Sequence, residues 1–391
     1  MRDSRNAVQH AGAPEHVRGL TVFQGSGATQ AAPARRPDYA AAHRSFLALA
    51  RLERLDQRVD ADPSIASVFE AALSNALDSA YSETGADAGA AHLFLHRVLY
   101  GINRLKLFWY DALESYDNER SVYLRAIRDR IEARWQRAEL EQHDTGALRR
   151  LDVIAALRER AAADLDPPLS SNGRYFRDDA AEPAYRTLLE IASLDGLVEA
   201  SQLSRTLGGV GNEVHSVLTR LLLEEYGMGR LPRKHSSYFA VMLSELGMDT
   251  APEAYFERVP WQVLAAINHS FLLSERKRYY LRYIGGLLYT EISVPAAFRA
   301  YHACAQRLGL SASAMAYWDL HIREDERHGR WMLNDIALPL AKQYPAHAWE
   351  LILGYDQQRL FSERSGAAVA NAARQADRAA STRRKRTAGA A

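Results

Sequence analysis

The sequence predicts an all-helical protein, and three observations carry that prediction. Apolar residues recur at three- and four-residue spacing through most of the chain, strand-like alternation is absent, and glycine and proline gather at plausible helix ends. Taken in order, residues 1–38 are rich in Gly, Ala, Pro, Arg and Gln without a sustained apolar period, and are expected to be a disordered tail. Tyr39–Leu55, Ala90–Ser115 and Asn118–Leu140 carry the helical period, so residues 39–165 read as an N-terminal helical module. The run Asp166-Pro-Pro-Leu-Ser-Ser-Asn-Gly173 combines a helix stop with turn residues and sets a provisional boundary. A second helical domain follows over 166–362. Residues 363–391 are Ala- and Arg-rich, end in Arg383-Arg384-Lys385-Arg386, and are expected to be a basic, solvated tail.

Composition limits the function classes. The 391 residues are 47% hydrophobic and 25% charged, an ordinary globular balance, and the formal net charge of +1 gives no general attraction to nucleic acid or anionic membrane. One cysteine, Cys304, excludes an internal disulfide and any four-cysteine zinc site. The N-terminus lacks the apolar core of a signal peptide, and no stretch approaches the ~20 apolar residues of a membrane helix. A cytoplasmic location is the expectation.

The chemistry concentrates in Tyr317–Met332. His321, Asp325 and His328 stand at i, i+4 and i+7, within about 60° of one another on one helical face. Tyr317, Trp318, Trp331 and Met332 extend that face, while Arg323, Glu324, Arg327 and Arg330 occupy the others. Two imidazoles and a carboxylate on successive turns can converge on one metal ion, and iron, manganese and zinc all accept such donors. The plain alternative is a helix whose histidines are satisfied core residues and whose acids pair with arginines.

A metal site in a bundle also needs donors from facing helices. Glu291 stands between Leu287, Leu288, Val294 and Pro295, a carboxylate on an otherwise apolar face. Pro295 cannot donate to the Glu291 carbonyl, so the helix should either open there or end. Glu225 follows Leu218, Leu221 and Leu222 at helical spacing, and because its neighbour Glu224 follows Arg220 by four, Glu225 faces the core better. Gly227-Met-Gly229 then breaks the helix before His235, which is weak evidence without its partners. His215 and His302 have no acid in register, and His92 and His96 are expected to serve packing.

These motifs, Glu-Tyr-Gly-Met-Gly before His235, Tyr-Thr-Glu291, and His-x3-Asp-x2-His, resemble the heme-oxygenase-like diiron oxidases over about 110 residues, from Glu225 to His328. The resemblance implies a heme-oxygenase-like seven-helix bundle without heme. It also implies that Glu225, His235, Glu291, His321, Asp325 and His328 bind two Fe(II) ions, one of them held weakly. Relatives with a long helical N-terminal module include N-oxygenating enzymes of natural-product pathways, in which that module commonly forms a dimer. The expected activity is therefore O₂-dependent oxygenation of an amine or guanidine nitrogen through a peroxo-diiron(III) species, with an external electron donor. Desaturation, carbon–carbon cleavage or oxidative decarboxylation of an amino or fatty acid is the alternative, since the same motifs serve all of these. A ferritin-like site would use Glu-x-x-His, which the sequence lacks. A heme oxygenase would not explain three buried acids, and a non-catalytic helical interaction module remains the reading from a different class. Tyr226, Tyr289, Trp318 and Trp331 are candidate pocket walls, and Arg230, Arg233 and Lys234 candidate carboxylate binders.

Overall fold

The computed structural model describes residues 37–82 and 88–388, and every regular element among them is helical. The longer helices are α1 (Tyr39–Ala50), α2 (Ser67–Ala80), α3 (Ala88–Asn103), α4 (Val122–Leu140), α5 (Val153–Leu165), α6 (Glu182–Gly196), α7 (Glu213–Glu225), α8 (His235–Glu245), α9 (Trp261–Glu275), α10 (Tyr280–Arg307), α11 (Ala312–Trp331) and α12 (Trp349–Ala388). The all-helical class read from the sequence is what the described residues form. The expected tail at the N-terminus lies outside the described residues up to position 36. No helix among the described residues is long and apolar enough to cross a membrane.

Side-chain caps fix several helix starts. Asp38, Ser121, Asp152, Asn212 and Ser311 each accept a backbone N–H from the first turn of the helix that follows. The second segment is shorter than the sequence period suggests: α3 stops at Asn103 instead of continuing to Ser115. The Trp109 indole donates to the Arg104 carbonyl at 2.8 Å and packs under its guanidinium at 4.8 Å, so the helix end is satisfied by a reversing loop.

The described residues from Asp38 onward cluster as one compact unit, and the break at 166–173 does not separate two bodies. Leu157 and Ala161 of α5 share an apolar cluster with Ile284 and Leu288 of α10 and Leu351 of α12. The α1–α4 layer packs its Phe69, Phe94 and Trp135 against Ala265 and Leu272 of α9 and Phe361 of α12. Across the supposed boundary, Arg160 binds Asp356 through two bonds of 2.7 and 3.0 Å. The helix-stop signal was real, but a stop in the chain is not a gap in the packing.

The expectation of a disordered basic tail from residue 363 fails. That stretch continues α12, a 40-residue helix, to Ala388. Its alanines are the reason: Val369, Ala370 and Ala373 are buried beside α6 residues such as Ala184 and Leu188. Asp377 then caps α6 from a distance, accepting N–H groups from Ala181 and Ala184 at 3.1 Å each and the Tyr175 hydroxyl at 2.8 Å. α10 and α12 cross with their backbones in close contact. A methyl group at Gly285 would collide with the Leu351 carbonyl, and one at Gly354 with the Arg282 carbonyl.

Candidate metal centre

Five segments converge on one cluster of acids and histidines. Leu218 and Leu221 bury one face of α7 and carry Glu225, its last residue, inward with them. The chain then reverses through Gly227, Met228 and Gly229, all with positive φ (62°, 55° and 76°). A side chain at Gly227 would strike the Arg233–Lys234 peptide, so glycine permits the turn that returns His235 to Glu225. Glu225 Oε2 lies 2.9 Å from His235 Nδ1.

α10 runs unbroken through Pro295 and presents Glu291 from its interior. Pro295 leaves the Glu291 carbonyl without its usual helical donor. α11 approaches that carbonyl through Gly329, whose added Cβ would stand 3.3 Å from it. On α11, His321, Asp325 and His328 are 4%, 3% and 0% exposed and share the inward face. The structure thus brings together all six residues singled out by the sequence.

It also adds a seventh. Glu199, in the turn after α6, places Oε1 3.0 Å from His321 Nε2 and 3.0 Å from the Tyr317 hydroxyl, which donates to it. Two donor sets result. Glu199, Glu225, His235 and His321 have ligand atoms within 4.8 Å of one another, as do Glu225, Glu291 and His328, so Glu225 is common to both. Asp325 Oδ1 stands 3.7 Å from His328 Nδ1, beside the second set.

The donor set suits divalent metal. His321 Nδ1 donates to the Tyr317 carbonyl at 2.8 Å, which turns Nε2 toward His235 Nδ1 at 3.2 Å. Two imidazole nitrogens facing each other among carboxylates require a cation or a proton between them. His328 Nε2 donates to Glu224 at 3.1 Å, leaving Nδ1 toward Glu225 and Glu291 at 3.5 and 3.4 Å. His328 Nδ1, Asp325 Oδ1 and Glu199 Oε2 have no hydrogen-bond partner although buried. Such orphaned atoms are expensive in a dry interior unless they bind an ion.

The electrostatics agree. Burial raises Asp325 well above the usual carboxyl range, with Glu291 adding to the effect. Burial also raises Glu291, against the opposing pull of His328. For Glu225 burial is outweighed by His235, His321 and His328 together, and its acidity is enhanced. Burial alone would lower His321, but Glu199, Asp325 and Glu225 raise it well above its ordinary value. His328 is likewise raised to about 9 against burial, chiefly by Glu291. The cluster has more negative charge than its surroundings neutralise, and holds protons where a metal would replace them.

Glu225 is the more buried of the two neighbours, as expected, yet Glu224 is half-buried and holds His328 and Arg327 (2.6 Å) together. His302, without an acid in register on its own helix, pairs with Asp319 of α11 at 3.1 Å. His92 and His96 pack on Trp261, with ring centroids 4.3 and 5.9 Å away. A cavity of about 860 Å³ adjoins the centre and is lined by Tyr289 and Trp318, but not by Tyr226 or Trp331. Arg230 and Arg233 are exposed on the surface, and Lys234 bonds Ser236 at 2.8 Å, so none of these cations reaches the cavity.

Comparison with known proteins agrees with this geometry. Residues 186–358 match the family described as iron-containing redox enzyme, a span that includes all seven donors. The chain is also similar to nitrosourea synthase from Streptomyces achromogenes subsp. streptozoticus, with 29% identity over 184 residues. That match covers 46% of this chain and 39% of the relative, so the chain spans about two fifths of the length of the curated protein it matches.

Proposed function

With residues 186–358 belonging to the iron-containing redox enzymes, we propose that the chain is an O₂-dependent oxidoreductase with two iron sites. Glu199, Glu225, His235 and His321 would hold one ion, and Glu225, Glu291, Asp325 and His328 the other. The observation that carries this reading is Glu225, whose two oxygens face separate histidines, Oε2 toward His235 and Oε1 toward His328. Four carboxylates contribute a charge of −4, matching two Fe(II) ions. Iron bound there supplies the electrons that activate O₂.

The chain's own residues do the rest. Tyr317 steadies both ends of the first set, through its carbonyl to His321 and its hydroxyl to Glu199. Glu224 holds His328 in one tautomer and orientation. Phe298 and Trp318 wall the centre, with the Phe298 ring 5.3 Å from His321, and Trp318 is fixed by its bond to the Tyr185 hydroxyl at 2.9 Å. This aromatic wall excludes water around the reacting atoms.

The substrate in this reading is a small amine or guanidine. The reaction places one atom of O₂ on nitrogen and, with two electrons from an external donor and two protons, releases the other as water. Two observations support nitrogen over carbon chemistry. The similar nitrosourea synthase is named for a product with an oxidised nitrogen. The cavity walls also carry Asp164, Asp195 and Glu363 beyond the four central acids, while Arg359, the one guanidinium among the described lining residues, is already paired with Asp164 at 2.6 Å. Such walls favour a cationic substrate over a fatty acid. Incubation of iron-loaded protein with ¹⁸O₂, a reductant and an amine library tests this by mass spectrometry. A labelled hydroxylamine, nitroso or nitro product is expected; an alkene or shortened acid without labelled nitrogen product would replace this reading with a lyase.

A further inference from the structure

Asp195 has no role in the metal centre, yet it occupies an unfavourable place. It lies in the last turn of α6, where the helix dipole disfavours negative charge. Its side chain is exposed rather than covered, and it is one of the residues that line the 860 Å³ cavity. Its carboxyl group has no hydrogen bond or ion pair, and burial, reinforced by Glu199, pushes it up to about 6. Its nearest titratable company is further acid and phenol: Glu199, Tyr100, Tyr283 and Tyr317. The four central carboxylates already match two divalent ions, so metal loading leaves Asp195 uncompensated.

A carboxylate on the wall of a deep cavity, with neither a hydrogen-bond partner nor an ion pair and with further acids beside it, attracts a cation that enters there. We propose that Asp195 is a specificity-determining residue that anchors a cationic ammonium or guanidinium group of the substrate beside the metal centre. Its position one helical turn before Glu199 sets the anchored group next to the first donor set. Arg359 is tied to Asp164 and leaves Asp195 free to take that charge. The proposal deepens the amine-oxygenase reading and rests on it for the identity of the substrate class.

Binding tests it apart from turnover. Anaerobic, iron-loaded protein is titrated calorimetrically with butylguanidine, butylamine and butyrate, which differ only in head group. The two cations should bind at least about tenfold more tightly than butyrate. Asp195→Asn should remove that preference while keeping the iron stoichiometry, and Asp195→Glu should restore part of it. Unchanged cation binding in Asp195→Asn, or the loss of an iron, would overturn the assignment. The two readings fail separately. If an N-oxygenated product forms and Asp195→Asn leaves KM unchanged, the activity stands and the anchor falls. If Asp195-dependent cation binding occurs without nitrogen oxidation, the anchor stands and the activity falls.

Discussion

Adjacent glycines in α10 should respond oppositely to the same substitution. A methyl group at Gly285 meets the backbone of Leu351, whose carbonyl oxygen, carbon and Cα all fall inside contact distance. No side-chain rotation relieves this, so α10 and α12 must separate. Overpacking ordinarily costs about 1–3 kcal/mol, and collision with backbone places Gly285→Ala at or beyond the upper end. At Gly286 the nearest atoms to an added Cβ are Gln358 Cβ and the Gly354 carbonyl oxygen, both at 3.5 Å, which is ordinary contact. Gly286→Ala should therefore be neutral or stabilise by up to about 1 kcal/mol through helix propensity. Urea unfolding of both variants, compared at equal m, measures the difference. Because Glu291 lies on the same helix, Gly285→Ala should also weaken iron binding. Equal stabilities for the two variants would refute the claim that this crossing is closed by backbone contact.

Two further outcomes follow from named groups. Glu224→Ala removes the acceptor that orients His328 and should weaken iron binding about 10- to 100-fold, while Glu224→Gln, which keeps an acceptor, should lose less; competition titration against a chelator measures both. His96 is fully buried with neither ring nitrogen bonded, and burial pushes it down to about 3. A depressed imidazole contributes stability above its unfolded value near 6.5 and loses it as pH falls from 6.5 toward 3, which amounts to about 2 kcal/mol by pH 5. His96→Phe should fold and should lose about 2 kcal/mol less stability than wild type between pH 7.5 and 5. Comparing the two proteins cancels groups of opposite sign such as Glu132, raised by burial to about 7. An unchanged pH dependence would contradict this.

How much was legible in the sequence depended on regularity. His321, Asp325 and His328 repeat at the helical period, and Glu225 and Glu291 interrupt apolar faces, so their direction could be read before any coordinates. Glu199 could not: it sits in a turn behind Ala200, whose φ is 60°, and no periodicity reaches it. Glu224 ranks below Glu225 as a core-facing residue because it stands four residues after Arg220, and that pair does form at 3.3 Å. Its second oxygen nonetheless turns inward to His328, which spacing along one helix cannot reveal. The C-terminal extension was misread because alanine-rich, charged sequence resembles a solvated tail unless a facing helix buries its small residues, and α6 does so. The division at 166 failed for a related reason, since proline ends helices locally while packing is decided by residues far away, such as Arg160 with Asp356.

The central claim is that two iron sites share Glu225. Anaerobic Fe(II) titration of metal-free protein, read by calorimetry and elemental analysis, tests it most directly. Wild type should bind about two irons per chain, one more weakly. Glu199→Ala and Glu291→Ala, each outside the other's donor set, should each compromise one site and leave the other. Glu225→Ala should compromise both. Saturation of wild type at one iron or fewer under excess metal, or two intact sites in Glu225→Ala, would contradict the account.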